Sequence, residues 1–157
     1  RHFELTIESN GSLKPEQIFL DALIMLYLLI YDIESNMEDV NKVILEQKSS
    51  NKYELTLFNE NHTLGNLIYN YLLIDTIKMD HISYNKPHPL RNHIVFNFIT
   101  DDNKIIEKFK NTLQSLKDEV QHIATQYVQL MKNDYGYTTY NTKDWIKYSS
   151  YVHEFTI

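Results

Sequence analysis

Between residues 106 and 130 the apolar side chains keep strict time: Ile106, Phe109, Leu113, Leu116, Val120, Ile123, Tyr127 and Leu130. The steps alternate three and four residues, so all of them fall on one stripe of a helix, in a coiled-coil-like seam. Such a helix needs another helix against it, because a single amphipathic helix in water leaves its stripe exposed. A second helix is legible near the start of the chain. Pro15 suits a first helical turn, and Glu16 adds a favourable charge at the positive end of the dipole. The apolar run over residues 18–33 carries that helix to about residue 34. Its apolar surface is too wide for one contact, so it is expected to sit between two partners. The run is shorter than the roughly 20 residues that cross a bilayer, and Asp21 and Asp32 interrupt it, so a buried helix is the better reading.

The rest of the chain alternates short strands with helices. Phe3, Leu5 and Ile7 share one face of an expected half-buried strand, followed by the turn signal Asn10-Gly11. Residues 35–52 read as a linker with one short helix around Val40, Val43, Ile44 and Leu45. Tyr53, Leu55 and Leu57 mark a strand over residues 53–58. A helix over residues 63–74 follows, with Thr63 as its N-cap and Leu64, Leu67, Ile68, Tyr71 and Leu72 as its buried stripe. Further strands are expected over residues 77–84 and 93–99, and Pro87-His88-Pro89 between them excludes a two-residue hairpin. Thr100-Asp101-Asp102 opens the long helix with acidic residues at its start. A Tyr-rich tail around Trp145 and a last strand over residues 152–157 close the chain. This order implies an α+β fold, an antiparallel sheet with packed helices, the C-terminal one long.

Bulk properties narrow the function. With 157 residues the chain can form one compact domain or two small units sharing a core. A formal net charge of -6 lacks the basic footprint of a protein that grips nucleic acid alone, so any DNA is met indirectly, through other subunits. The absence of Cys excludes disulfides, thiolate metal sites and Cys nucleophiles. No basic stretch precedes an apolar one near the start, so no signal peptide is visible. The chain opens on Arg1, which is expected of a processed chain or a piece of a longer polypeptide. Heavy use of Tyr, Ile, Asn and Lys matches an AT-rich genome, as in many large DNA viruses and some parasites.

Two stretches carry a family resemblance. Asn59-Glu60-Asn61-His62-Thr63-Leu64-Gly65-Asn66-Leu67-Ile68 resembles the strand-to-helix corner of the small α-like subunit of multisubunit RNA polymerase. That subunit is L in archaea and subunit eleven of eukaryotic polymerase II; it carries an acidic residue and then His-Thr-Leu-Gly-Asn-Leu. Downstream, Ser83-Tyr84-Asn85-Lys86-Pro87-His88-Pro89-Leu90 resembles its Tyr-x-x-x-His-Pro segment, and residues 92–101 resemble its strand before the long helix. Independently, residues 3–16 resemble the end of the large α-like subunit (D in archaea, subunit three of polymerase II), where a strand enters the final dimerisation helix. The two halves, separate chains elsewhere, stand here in tandem, similar to fusions in nucleocytoplasmic large DNA viruses such as African swine fever virus.

The resemblance implies two segments, residues 1–35 as the strand and helix of the large half and 52–133 as the small dimerisation module; the linker over residues 36–51 and the tail over residues 134–157 have no family counterpart. It implies that Ile18, Leu23, Leu26 and Ile30 face Phe109, Leu113, Leu116, Val120, Ile123 and Tyr127. It also implies a non-catalytic assembly platform, part of a nucleotidyltransferase complex, whose partners are other polymerase subunits, chiefly the two largest, with no membrane. The location would be the host cytoplasm or virion for a viral chain and the nucleus for a cellular one.

The chemistry-bearing residues support no rival reading as well. His62 is expected to fix the turn or meet a larger subunit rather than bind metal, since a ligand needs placed companions. Gly65 allows close backbone approach, and Asn66 hydrogen-bonds the turn or a partner. Asp80, His81, His88 and His93 lack repeated ligand spacing, so no metal or other cofactor is expected. Asp101-Asp102 fits a helix start. Tyr137, Tyr140, Trp145, Tyr148 and Tyr151 lack the positive charge that accompanies base stacking, so they are expected to dock on protein. An enzyme using His62 with Asp80 or Asp101 finds no triad or phosphate loop. A coiled-coil-like adaptor outside transcription explains the seam but neither family stretch.

Overall fold

The computed structural model describes residues 3–75, 81–88 and 92–135. The elements run α1 (Pro15–Ser35), β1 (Val43–Ser49), β2 (Lys52–Phe58), α2 (His62–Asp75), β3 (His81–Asn85), β4 (His93–Ile99) and α3 (Ile105–Tyr135). The strands form one sheet in the order β1-β2-β4-β3, every neighbouring pair antiparallel. The expected α+β architecture with a long last helix is present. The expected tail and its aromatic residues, the last strand, Asp80 and Pro89 lie outside the described residues.

The sheet register explains its core. Val43 pairs with Leu57 and Leu57 with Ile94; Leu45 pairs with Leu55, Leu55 with Phe96 and Phe96 with Tyr84. Successive side chains alternate between faces, so these rows make one continuous apolar surface. Leu55, Leu57, Ile94 and Phe96 are completely buried on it. The Phe96 ring lies edge-on to Phe109 of α3 at 5.8 Å between centroids and tilts against Tyr84 at 5.8 Å. Each such large side chain contributes about 1.5–3 kcal/mol by leaving water.

Two expectations fail in the first third of the chain. Residues 3–8 form no strand: Phe3 and Leu5 are exposed, and their backbone pairs with none of the described strands. Alternation makes a strand only where a neighbouring strand takes up its N–H and C=O groups. The turn after it does form, with Gly11 at φ 93° and Ser12 N–H donating to Asn10 Oδ1 at 3.1 Å. The second failure is the linker over residues 36–51, whose apolar patch was expected to make a short helix. Val43–Ser49 is instead the edge strand β1, joined to β2 by a two-residue turn, because Val43 and Leu45 meet Leu57 and Leu55 across the pair. Val40, from the same patch, is exposed.

The chain divides into two compact units. In the described residues one comprises 3–28 with 119–135, and the other is Leu29–Asp118. In the first, Leu20, Ile24 and Leu28 of α1 and Val120, Ala124 and Val128 of α3 are buried. The Phe19 and Tyr127 rings meet edge-on at 4.7 Å, and the Tyr127 hydroxyl donates to the Glu16 carbonyl at 3.1 Å. In the second unit Ile30 and Ile33 of α1 and Ile105, Phe109, Leu113 and Leu116 of α3 are buried with the sheet.

The seam itself drifts from its expected line. Beyond Val120 the buried positions are Ala124 and Val128, while Ile123 is 38% and Leu130 60% exposed. A straight helix turns every 3.6 residues, so a strict seven-residue pattern slides off its buried stripe by about 20° per heptad. Ile18, Leu23 and Leu26 are half-buried rather than core. Among the described residues no helix is long and apolar enough to cross a membrane.

Candidate assembly surface

The corner between β2 and α2 is built by three asparagines. Asn59 takes a left-handed conformation at φ 63°, which Asn tolerates better than most residues. Its N–H donates to the Asn92 carbonyl, tying the turn to the start of β4. Asn61 is the N-cap: its Oδ1 accepts from Thr63 N–H at 3.0 Å and its carbonyl from Gly65 N–H at 3.0 Å. Thr63, expected to be the cap, is an exposed residue of the first turn. Capping falls to Asn61 because the helix begins one residue earlier, at His62.

The helix then splits the motif between two faces. Leu64, Ile68 and Leu72 are buried against the sheet, with Leu67 half-buried. Gly65 belongs to the buried face for a steric reason. A Cβ there would lie 3.0 Å from Ile94 Cδ1 and 3.0 Å from Tyr84 Cε2, so only a bare backbone lets α2 approach β3 and β4 this closely. Tyr84 cannot easily yield, since its ring contacts Tyr69 at 5.3 Å, Phe96 at 5.8 Å and His62 at 6.1 Å.

The other face is outward and carries no charge among the described side chains. His62, Thr63, Asn66, Asn70, Leu73 and Ile74 are exposed, the last at 76%. Asn66 is tied to the next turn, its carbonyl and Oδ1 accepting from Asn70 Nδ2 at 2.7 and 3.1 Å. Pro87 and His88 are also exposed. Among the described residues no group of three or more His, Asp or Glu is placed to hold a metal ion.

Beneath this corner lies a polar cluster that sequence patterning does not single out. Glu60 is only 7% exposed. Burial pushes its carboxyl up to about 7; nearby Lys42 opposes that rise and Asp32 adds to it. Lys42 donates to Asp32 Oδ2 at 2.7 Å, and the other Asp32 oxygen accepts from Asn36 Nδ2 at 2.9 Å. A second ion pair joins Glu34 to Lys117, whose ammonium also lies 5.8 Å from the Tyr31 ring centre. Lys117 is buried within the apolar stripe of α3. Its only sequence signal is its spacing, four residues after Leu113 and eight after Phe109. The start of α3 is held by Lys108 donating to Asp102, which keeps that carboxyl below its usual range.

A four-stranded antiparallel sheet packed on one face by a short capped helix and a long C-terminal helix defines an α+β fold. Residues 52–126 match the family described as the RNA polymerase Rpb3/Rpb11 dimerisation domain. Over 56 residues the chain is 41% identical to DNA-directed RNA polymerase subunit Rpo11 of Sulfurisphaera tokodaii, a match that takes in 35% of this chain and 58% of that protein. The crystal structure of DNA-directed RNA polymerase subunit L from Thermoplasma acidophilum aligns with a TM-score of 0.50 and 16% identity, over 63% of this chain and 97% of that one. At that identity the structural likeness speaks for the fold. Residues 52–126 are thus similar to an Rpb3/Rpb11 dimerisation domain, and the chain spans 58% of the length of the Rpo11 relative it matches.

Proposed function

We propose that the chain is a non-catalytic assembly platform of a DNA-dependent RNA polymerase, in which a large and a small α-like half are joined and dock the two largest subunits. The observation that carries this reading is the division of α2. Its family motif uses Leu64, Gly65 and Ile68 to seat the helix on the sheet and leaves His62, Thr63, Asn66, Asn70, Leu73 and Ile74 outward. An outward face without charge among the described side chains, on a chain of net charge -6, suits burial against protein, where charge is depleted.

The segment resembling the large half, residues 1–35, supplies α1, and the module over residues 52–133 supplies α3. The pairing of halves is supported in each unit separately, by Phe19 against Tyr127 in one and by Glu34 with Lys117 in the other. Residues 3–8 fit the same reading: Phe3 and Leu5 lie exposed on a stretch that alternates like a strand, which suits addition to a neighbouring sheet. DNA is met through the complex, and no step of nucleotide transfer falls to this chain. Its site of action is the cytoplasm or virion if the gene is viral and the nucleus if cellular.

The test is co-purification. The tagged protein is expected to recover two very large polymerase subunits and to make RNA in the eluate. Asn66→Arg combined with Ile74→Asp, both on exposed positions, is expected to lose those subunits while the chain still folds. Recovery of unrelated partners, or unchanged recovery with the double variant, would refute the docking face.

A further inference from the structure

Helix α1 poses a recognition problem. From Phe19 to Ile33 its only charged residues are Asp21 and Asp32, and the remainder is Ala, Leu, Ile, Met, Tyr and Phe. Apolar packing is non-directional. A helix this uniform could slide by one turn or rotate and bury nearly the same area, so hydrophobic contact alone specifies its register weakly.

The charges at its end are placed to break that degeneracy. Asp32 and Glu34 stand in the last turn, which carries no basic residue. Carboxylates there oppose the helix dipole, so helix stability does not account for them. Each is instead taken by a lysine from a different element. Lys42, just before β1, donates to Asp32 Oδ2 at 2.7 Å, and Asn36 holds the other oxygen. Lys117 of α3 pairs with Glu34 and lies over the Tyr31 ring. Positions two apart are separated by about 200° around a helix, so the two lysines grip nearly opposite sides of α1.

We infer that these two ion pairs form a two-sided clamp that sets the register and rotation of α1 within the Leu29–Asp118 unit. The Lys117 side chain is 8% exposed and the Glu34 side chain 25%. A slide of one turn toward the C-terminus would bring Ile30 to the place of Glu34 and leave Lys117 buried without its counter-ion, which is strongly unfavourable. Breaking such a pair is costly, whereas replacing it by apolar groups is often neutral. Specificity of register, rather than stability, is therefore what the pair supplies, as single polar residues do in helical seams. This goes beyond the platform reading and does not rest on it.

The chain has no Cys, so paired spin labels report the register cleanly. Labels are placed at Ser35→Cys and Gln114→Cys, both exposed and both in the same unit. The parent is expected to show one distance. Lys42→Met with Lys117→Met, in a chain that also carries Asp32→Leu and Glu34→Leu so that both pairs become apolar, is expected to keep a cooperative melt but to add a second population displaced by about 5 Å, one helical turn. Lys117→Glu is expected to do the same by placing two carboxylates together, and adding Glu34→Lys is expected to restore the single distance. A single unchanged distance in the apolar variant overturns the inference. So does a charge-swapped chain as heterogeneous as Lys117→Glu alone, which also decides the matter if the apolar variant does not fold. Failure of the polymerase reading would show in the co-purification and leave these distances as they are.

Discussion

Replacing Glu60 by Gln tests whether the corner beneath the family motif desolvates its acid. The carboxyl moves from 4.5 to about 7 on folding, chiefly through burial, with Lys42 opposing and Asp32 reinforcing the change. The folded chain thus binds the proton more tightly than the unfolded one. Stability from this group is full below about 4.5 and falls as pH rises, until it is lost above about 7. At 1.36 kcal/mol for each tenfold change in acid constant, the loss is up to about 3 kcal/mol. The amide that replaces the acid cannot ionise and escapes it. Urea unfolding of parent and variant at pH 5, 6, 7 and 8 measures the difference, in which distant titrating groups cancel. The variant is expected to gain on the parent by up to about 3 kcal/mol between pH 5 and pH 8. Parallel curves would show that Glu60 ionises as in water and that the corner does not shield it.

Other substitutions examine separate joints of the same architecture. Gly65→Ala gains up to about 1 kcal/mol of helix propensity but meets Ile94 and Tyr84 at 3.0 Å. Overpacking costs about 1–3 kcal/mol, so a net loss of about 1 kcal/mol is expected by urea unfolding, and Gly65→Val loses more. Asn61→Ala removes the cap on Thr63 N–H and is expected to cost about 1 kcal/mol in the same assay, with Asn61→Ser nearly neutral. Leu116 is 1% exposed, so Leu116→Asp puts an unpaired charge into the seam. It is expected to cost about 3 kcal/mol or more and to separate α1 from α3, read as loss of a single cooperative melt. An unchanged melting temperature would mean the seam is not where α3 packs.

Much of the sheet-and-helix module was legible because it repeats local periods. Tyr53, Leu55 and Leu57 mark β2, residues 93–99 mark β4 as found, and Pro15 marks the start of α1. The motif at residues 59–68 spans the corner between β2 and α2, and the close approach expected at Gly65 has its reason in the 3.0 Å contacts there. The edge strand was misread because Val43, Ile44 and Leu45 form a short apolar run, and such runs suit helix and strand alike. The cap was misplaced by two residues, an error that an Asx turn at Asn61 makes easy. The Glu60–Asp32–Lys42 cluster gave no sequence signal at all, since its members are 28 and 18 residues before Glu60.

By itself the sequence determined α1, β2, α2, β4, α3 and the motif at residues 59–68, because each depends on side chains within a few residues of one another. The tertiary structure alone decided the rest. It made residues 43–49 a strand by giving them β2, and it left residues 3–8 unpaired among the described strands. It turned the buried line of α3 from Ile123 to Ala124, because a straight helix does not keep a seven-residue beat. It set Glu60 in a dry corner and matched Lys117 to Glu34 across 83 residues of chain. Burial and ionic partnership belong to places in space, and no local period encodes them.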